Sequence, residues 1–229
     1  NKQQWSNSPM YYARVLEGIL GSLNGISAYG KMDYFLQKLE VLEHPSIPFQ
    51  VEIACIRFIY TVSPLLKKKE YRECKKIIGC YEKELISKID QLTPYRYLQL
   101  SLYLSIIYLR NKEIVKARKQ MTHIINSDSY AGLYLFRTIQ IINLIIHYEL
   151  GDEDIITSRI RSIKRLNRIQ RTNSRLEDLL FHFLSTDIIS QTERKKELLK
   201  KKINDEFEKI ETSNSDTKLL SVFNIKEWM

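Results

Sequence analysis

Apolar residues return at three- and four-residue intervals along nearly the whole chain, and this helical period most restricts what the chain can fold into. It breaks only at Pro, Asn, Gly and short polar clusters. Seven Gly and five Pro in 229 residues leave too little turn chemistry for sandwiches, barrels or doubly wound sheets. The spacing therefore predicts an all-α chain, with helices near 9–23, 30–43, 48–66, 70–90, 94–110, 113–126, 129–150, 153–170, 173–186, 193–212 and 217–228. Ser8 before Pro9 and Thr93 before Pro94 read as helix starts, since proline suits the first helical position. Ser174 with Glu177 three residues on reads as a capping box. The links are short, so consecutive helices must lie antiparallel, and about five such hairpins must stack to bury their second faces. The expected architecture is an α-solenoid with a C-terminal helix: a single repeat domain over 1–229, with 193–229 as its capping helices.

Several settings are narrowed at the same time. Cys55, Cys74 and Cys80 are odd in number and form no C-x-x-C pair, which suits reduced thiols in a cytoplasmic protein rather than a disulfide framework. The most apolar stretch, Leu133–Leu150, is interrupted by Arg137, Gln140, Asn143 and His147, so it reads as a buried central helix and no membrane partner is expected. The chain opens at Asn1 without a leader, as expected of a piece of a longer protein. A net charge of +9 favours acidic partners.

The repeat itself shows in three segments. Leu104, Ser105, Tyr108, Ala117, Met121 and Ile124 place one small residue on each of two helices where paired helices approach closely. Lys69-Glu70-Tyr71-Arg72-Glu73-Cys74 with Ile78 and Tyr81 precedes this run, and Tyr148-Glu149-Leu150-Gly151-Asp152 with Ile156, Ile160 and Ile163 follows it. These segments resemble the tetratricopeptide repeat, with Gly151 at the family's turn glycine. Lys112 replaces that glycine in the middle unit, and Leu144 and Ile156 replace small residues in the third. With Cys74, Ala117 and Ile156 taken as equivalent, each repeat is about 40 residues long, above the roughly 34 of the standard unit. The run Asn143–Gly151, the basic helix after it and the ending Phe223-Asn224-Ile225-Lys226-Glu227-Trp228-Met229 are similar to uncharacterised tetratricopeptide-type proteins of Bacteroidetes. That resemblance implies a fold, a bacterial cytoplasmic origin and further repeats upstream, and no activity.

Chemistry is harder to find. His44, His123, His147 and His182 lie on different predicted helices without ligand-spaced neighbours, and His147 and His182 read as hydrogen-bonded core residues. Asp152, Glu153 and Asp154 read as the acidic start of a helix. No phosphate loop, nucleophile elbow or zinc motif is present, and no cofactor is expected. The strongest charge feature is Arg161, Lys164, Arg165, Arg168, Arg171 and Arg175, with no acid between Asp154 and Glu177. It is either a solvated face neutralised by neighbouring acids or a ridge for an acidic peptide, a phosphate or a nucleic-acid backbone, with Ile160, Ile163, Leu166 and Ile169 as the buried stripe. Tyrosines crowd the central hairpins (Tyr95, Tyr97, Tyr103, Tyr108, Tyr130 and Tyr134), and Tyr97, Tyr103 and Tyr134 are candidates to line a peptide groove. The helix Glu193–Glu211, with Leu199, Ile203, Phe207 and Ile210 on one stripe, either caps the stack or pairs with a second copy, so the oligomeric state stays open. Phe223, Ile225 and Trp228 make the tail too apolar to stay solvated, so it should dock on the last hairpin or in the groove. The expected function is a non-catalytic scaffold for a protein or peptide partner. Nucleic-acid association through the basic helix, or a helical enzyme without a recognisable motif, remain as alternatives.

Overall fold

The computed structural model describes residues 8–42, 44–170, 175–188, 193–210, 223 and 225–228, and among these there is no strand. The helices are α1 (Pro9–Gly25), α2 (Met32–Glu40), α3 (Ile47–Lys67), α4 (Tyr71–Cys80), α5 (Pro94–Arg110), α6 (Ile114–Ile125), α7 (Tyr134–Leu150), α8 (Glu153–Gln170), α9 (Arg175–Ile188), α10 (Glu193–Ile210) and the short α11 (Ile225–Trp228). Single 3-10 segments precede α2, α5 and α7, at Tyr29–Lys31, Ile86–Gln91 and Asp128–Tyr130. The chain divides into two compact units, residues 1–136 and 137–229.

In the first unit α1 packs on α2 and α3, α3 on α4 and α5, and α5 on α6, so α3 touches helices on both sides of it in the chain. Two hydrophobic clusters result, and α3 serves both: Phe49, Ile53 and Ile56 join Ala13, Leu16, Leu20, Met32 and Leu39, while Cys55, Phe58 and Val62 join Cys74, Ile78, Leu100, Leu104 and Ile107. A helix with core on two sides must be apolar nearly all round. Among the described residues α3 is accordingly the one helix long and apolar enough to cross a membrane, with 61 % of that window buried inside the protein. In the second unit α8 packs on α9 and α9 on α10, and Ile139, Ile142, Ile145, Ile156, Ile160, Ile163, Leu180 and Leu184 are buried.

One turn recurs. Ser27, Lys69, Lys112 and Gly151, each one repeat after the last, have φ of 58°, 64°, 62° and 74°. Each donates its N–H to the carbonyl three residues back, at 3.2, 3.1, 3.0 and 3.0 Å. The following residue (Ala28, Glu70, Glu113 and Asp152) donates to the carbonyl five back, that of Leu23, Leu65, Tyr108 and His147. This is the Schellman closure of a helix end, and it directs the chain straight into the next helix. Five residues beyond each turn lie Met32, Cys74, Ala117 and Ile156, all at most 1 % exposed. Ser105 donates to the carbonyl of Ala117 at 3.3 Å, with both residues fully buried, so the middle pair approaches at its small residues. The thiol of Cys74 meets the carbonyl of Val62 at 3.9 Å at the equivalent place.

Some expectations shift. The helix expected over 70–90 stops at Cys80. The Tyr81 carbonyl accepts from both Leu85 and Ile86, which unwinds the helix into the 3-10 segment and carries Leu85 and Leu92 into the cluster around Phe58. The helix expected from 129 starts at Tyr134, after Gly132. Ser8 and Thr93 make no side-chain cap, so proline at the first helical position marks those starts by itself. Ser174 lies outside the described residues, as do 217–222 of the expected last helix.

A non-glycine residue in the left-handed region is strained, whereas glycine there is free. Gly151→Ala should lower stability by about 1 kcal/mol, while Lys112→Gly should change it by less than about 0.5 kcal/mol, because relief of strain offsets the added chain entropy. Urea-unfolding midpoints of the two variants measure the contrast.

Candidate functional site

Helices α1, α3 and α5 meet at a buried charge network with several tyrosines near it. Its base is Arg96 of α5, 1 % exposed. Its Nε donates to Glu52 Oε1 of α3 at 2.8 Å, Nη1 to Gln99 Oε1 at 2.6 Å, and Nη2 to Glu17 Oε2 of α1. Arg14 closes the network from the solvent side, at 3.2 Å from Glu17 and 3.0 Å from Glu52. Burial opposes the charge of Arg96, but the hydrogen bonds to Glu17 and Glu52 outweigh it and hold its pKa above the ordinary value. Cys55 lies against this network, and burial pushes its thiol up to about 12. Burial likewise pushes Cys74 up to about 11, so neither thiol is available as a thiolate nucleophile near neutral pH.

Around the base stand tyrosines. Burial, reinforced by Glu17, pushes Tyr60 up to about 12. Tyr103 shares a hydrogen bond with Ser63 at 3.0 Å, and Tyr95 and Tyr134 lie close enough to add to the burial that raises its pKa. Tyr95 is 40 % and Tyr134 65 % exposed. Of the expected groove aromatics, Tyr103 and Tyr134 therefore belong to one cluster. Tyr97 does not: it stacks on Tyr130 at 5.8 Å with His123 edge-on at 6.1 Å. Arg96, Glu17 and Glu52 went unnoticed in the sequence. Their signal was available, since α5 holds no charge other than Arg96 and the terminal Arg110, and Glu52 sits within an apolar run.

In the second unit Arg161, Lys164, Arg165, Arg168 and Arg175 are exposed, and none has an acidic partner among the described residues. Arg171 lies outside them. Arg161, Arg165 and Arg168 share the side of α8 opposite Ile156, Ile160 and Ile163. The Lys164 ammonium leans over the ring of Phe181 at 5.8 Å. Arg175 opens α9, where its charge reaches Lys209 of α10. The buried stripe expected at Leu166 is displaced: Leu166 is 39 % exposed, and Asn167 turns inward instead, donating to Glu177 at 3.1 Å. Glu177, 3 % exposed, also receives Arg137 through Nε and, at 2.8 Å, Nη2. It acts as a buried counterion to Arg137.

His147 is buried and shares a hydrogen bond with Asp152 at 2.7 Å, as a core histidine does. His182, expected in the core, is exposed, because Phe181, Phe183 and Leu184 occupy the inner side of α9. Among the described residues no group of three metal-ligating side chains occurs. The side chains of Leu199, Ile203, Phe207 and Ile210 lie outside the described residues. In the tail Phe223 and Ile225 are buried, and Trp228 donates through Nε1 to Glu149 at 2.6 Å while meeting Tyr148 at 5.4 Å and Phe183 at 6.0 Å. Compared with known protein families, curated proteins and solved structures, the chain matches none.

Arg96→Ala leaves Glu17 and Glu52 without their buried counterion and should lower stability by about 3–5 kcal/mol. Arg96→Met combined with Glu17→Gln and Glu52→Gln should recover most of that loss, and thermal unfolding of the two variants compares them. In native protein at pH 8 a disulfide-exchange reagent should titrate one thiol quickly, the exposed Cys80, with Cys55 and Cys74 reacting only after unfolding.

Proposed function

We propose that this chain is a non-catalytic scaffold of tetratricopeptide type, its hairpins stacked as a right-handed α-solenoid, that holds a protein or peptide partner against its first helices. The observation that carries the proposal is the left-handed turn repeated at Ser27, Lys69, Lys112 and Gly151, with the same hydrogen bonds and the same buried residue five positions on. Repeats of this kind cannot bury both faces alone and gain stability by stacking, which leaves the first helices on a concave surface. The rim tyrosines follow the same register. Tyr60 and Tyr103 are as far apart in the chain as the turn residues Lys69 and Lys112, and Tyr95 and Tyr134 as far apart as Lys112 and Gly151. The exposed Tyr95 and Tyr134, with the partly buried Tyr60 and Tyr103, suit an extended peptide, which needs apolar contact and hydrogen-bond partners together.

Other features support the same proposal. The charges at the base of this face neutralise one another, so it favours shape over charge in its ligand. The buried thiols are held protonated, which speaks against thiol catalysis. The free cysteines suit a reducing cytoplasm. Kinship with the Bacteroidetes tetratricopeptide-type proteins belongs to this proposal, on the strength of the sequence segments that resemble them.

A photo-crosslinking amino acid at Tyr134, with the same label at the exposed Val115 of α6 as reference, tests the proposal in the source cell. The expected result is a defined, nuclease-resistant protein adduct at Tyr134 and none at Val115. Equal labelling at both positions, or adducts with nucleic acid alone, would sink it.

A further inference from the structure

Glu84 and Lys88 stand four residues apart, the spacing at which a Glu and a following Lys pair on a continuous helix. Here the helix has already ended at Cys80, and Lys88 takes φ −122° and ψ 23° within the 3-10 segment. Neither side chain has a hydrogen-bond or ion-pair partner among the described residues. Both line the same cavity, of about 620 Å³.

The cavity lies between this segment, the first half of α3 and the link that follows α2. Ile53 and Ala54, 5 % and 3 % exposed, line it from α3, and the half-buried Leu42 lines it from the link. Arg57 lines it too but is matched: its Nη2 donates to Glu40 Oε1 at 3.0 Å, and its guanidinium lies 5.9 Å from the Tyr81 ring. His44 Nδ1 accepts the Ser46 N–H at 3.1 Å, and since a backbone N–H can only donate, the neutral ring carries its proton on Nε2. Gln50 donates to the His44 carbonyl at 2.9 Å and keeps Oε1 as an acceptor. Apolar walls with a few polar groups of both kinds are the make-up of a small-molecule site, and the volume falls within the roughly 300–1,000 Å³ of such clefts.

The charges narrow the ligand. Arg57 and Glu40 cancel, which leaves one carboxylate and one ammonium unmatched. A simple anion would meet Lys88 but share the cavity with Glu84, and a simple cation would meet Glu84 but share it with Lys88, so like charges oppose both. A molecule with both signs and an apolar part between them suits Glu84, Lys88 and the α3 wall together. Short peptides are built in this way, and a free amino acid is small for the volume.

We propose that this cavity binds a zwitterionic peptide of two or three residues, with its ammonium at Glu84, its carboxylate at Lys88 and an apolar side chain against Ile53 and Ala54. The site is separate from the tyrosine cluster, and a failed crosslink at Tyr134 leaves it standing.

The test is calorimetric titration of the full chain with the dipeptide leucyl-alanine, beside its N-acetylated and its C-amidated forms. The expected result is saturable binding of the zwitterion with Kd of about 1 mM or tighter, and about fivefold weaker binding of each blocked form. Glu84→Gln should weaken the zwitterion about fivefold and leave the N-acetylated form unchanged, and Lys88→Gln should do the same with respect to the amide. Glu82→Gln and Lys83→Gln, which make the same charge changes at exposed positions outside the cavity lining, should have no effect. Circular dichroism verifies that each variant is folded, and should one unfold, the blocked peptides on the unmodified chain decide by themselves. No saturation by about 10 mM, equal binding of the blocked forms, or equal losses in the Glu82 and Lys83 variants overturns the proposal.

Discussion

A guanidinium that is 1 % exposed must find its counter-charge where it lies, and in this protein that requirement fixes the first unit. Arg96 reaches Glu52 on α3 and Glu17 on α1 from its place on α5, so one side chain ties three helices together at the spacing that closes both hydrogen bonds. Hydrophobic burial pulls the same helices together, but it is non-directional, and α3 has apolar residues on both sides with which to slide. The buried charges add little net stability, since desolvation opposes their attraction. They make alternative registers unfavourable instead, because each leaves an ion buried without its partner.

Glycine content would not have located the turns. Of the four left-handed turn residues only Gly151 is a glycine, and Ser27, Lys69 and Lys112 take the same conformation. Their strain is tolerated because each turn closes two backbone hydrogen bonds and, five residues on, delivers a side chain to the core. The turn therefore keeps its geometry without glycine, and Cys74, Ala117 and Ile156 each lie five residues after one such turn.

The same contrast explains how much else could be read beforehand. The all-α class and most helix spans followed from periodicity, which reports local backbone geometry. The end of α4 did not, because Tyr81, Leu85 and Leu92 keep a helix-like spacing but are drawn toward Phe58, a contact from a distant part of the chain. The spacing of Glu177 to Ser174 gave no sign that Arg137, from a distant helix, binds its carboxylate. Leu166 was misplaced for a local reason: 156, 160, 163 and 167 continue one side of the helix, so the inward position belongs to Asn167, which meets Glu177, and Leu166 lies off it. The end of α4 and the pairing of Glu177 are thus tertiary contacts that no local pattern reports, whereas the exposure of Leu166 follows from the helical period itself.

Where the buried ions lie also decides what the surface shows. In α8 the inward position beside Glu177 is taken by the amide of Asn167, and Leu166, on another side of the helix, is 39 % exposed. At Arg96 the ion pairs lie beside tyrosines and cancel one another, so ring edges and hydroxyls are the features left there. In both places the charge is matched within the protein, because burial removes the water that would otherwise solvate it and only a partner at hydrogen-bond distance offsets that loss.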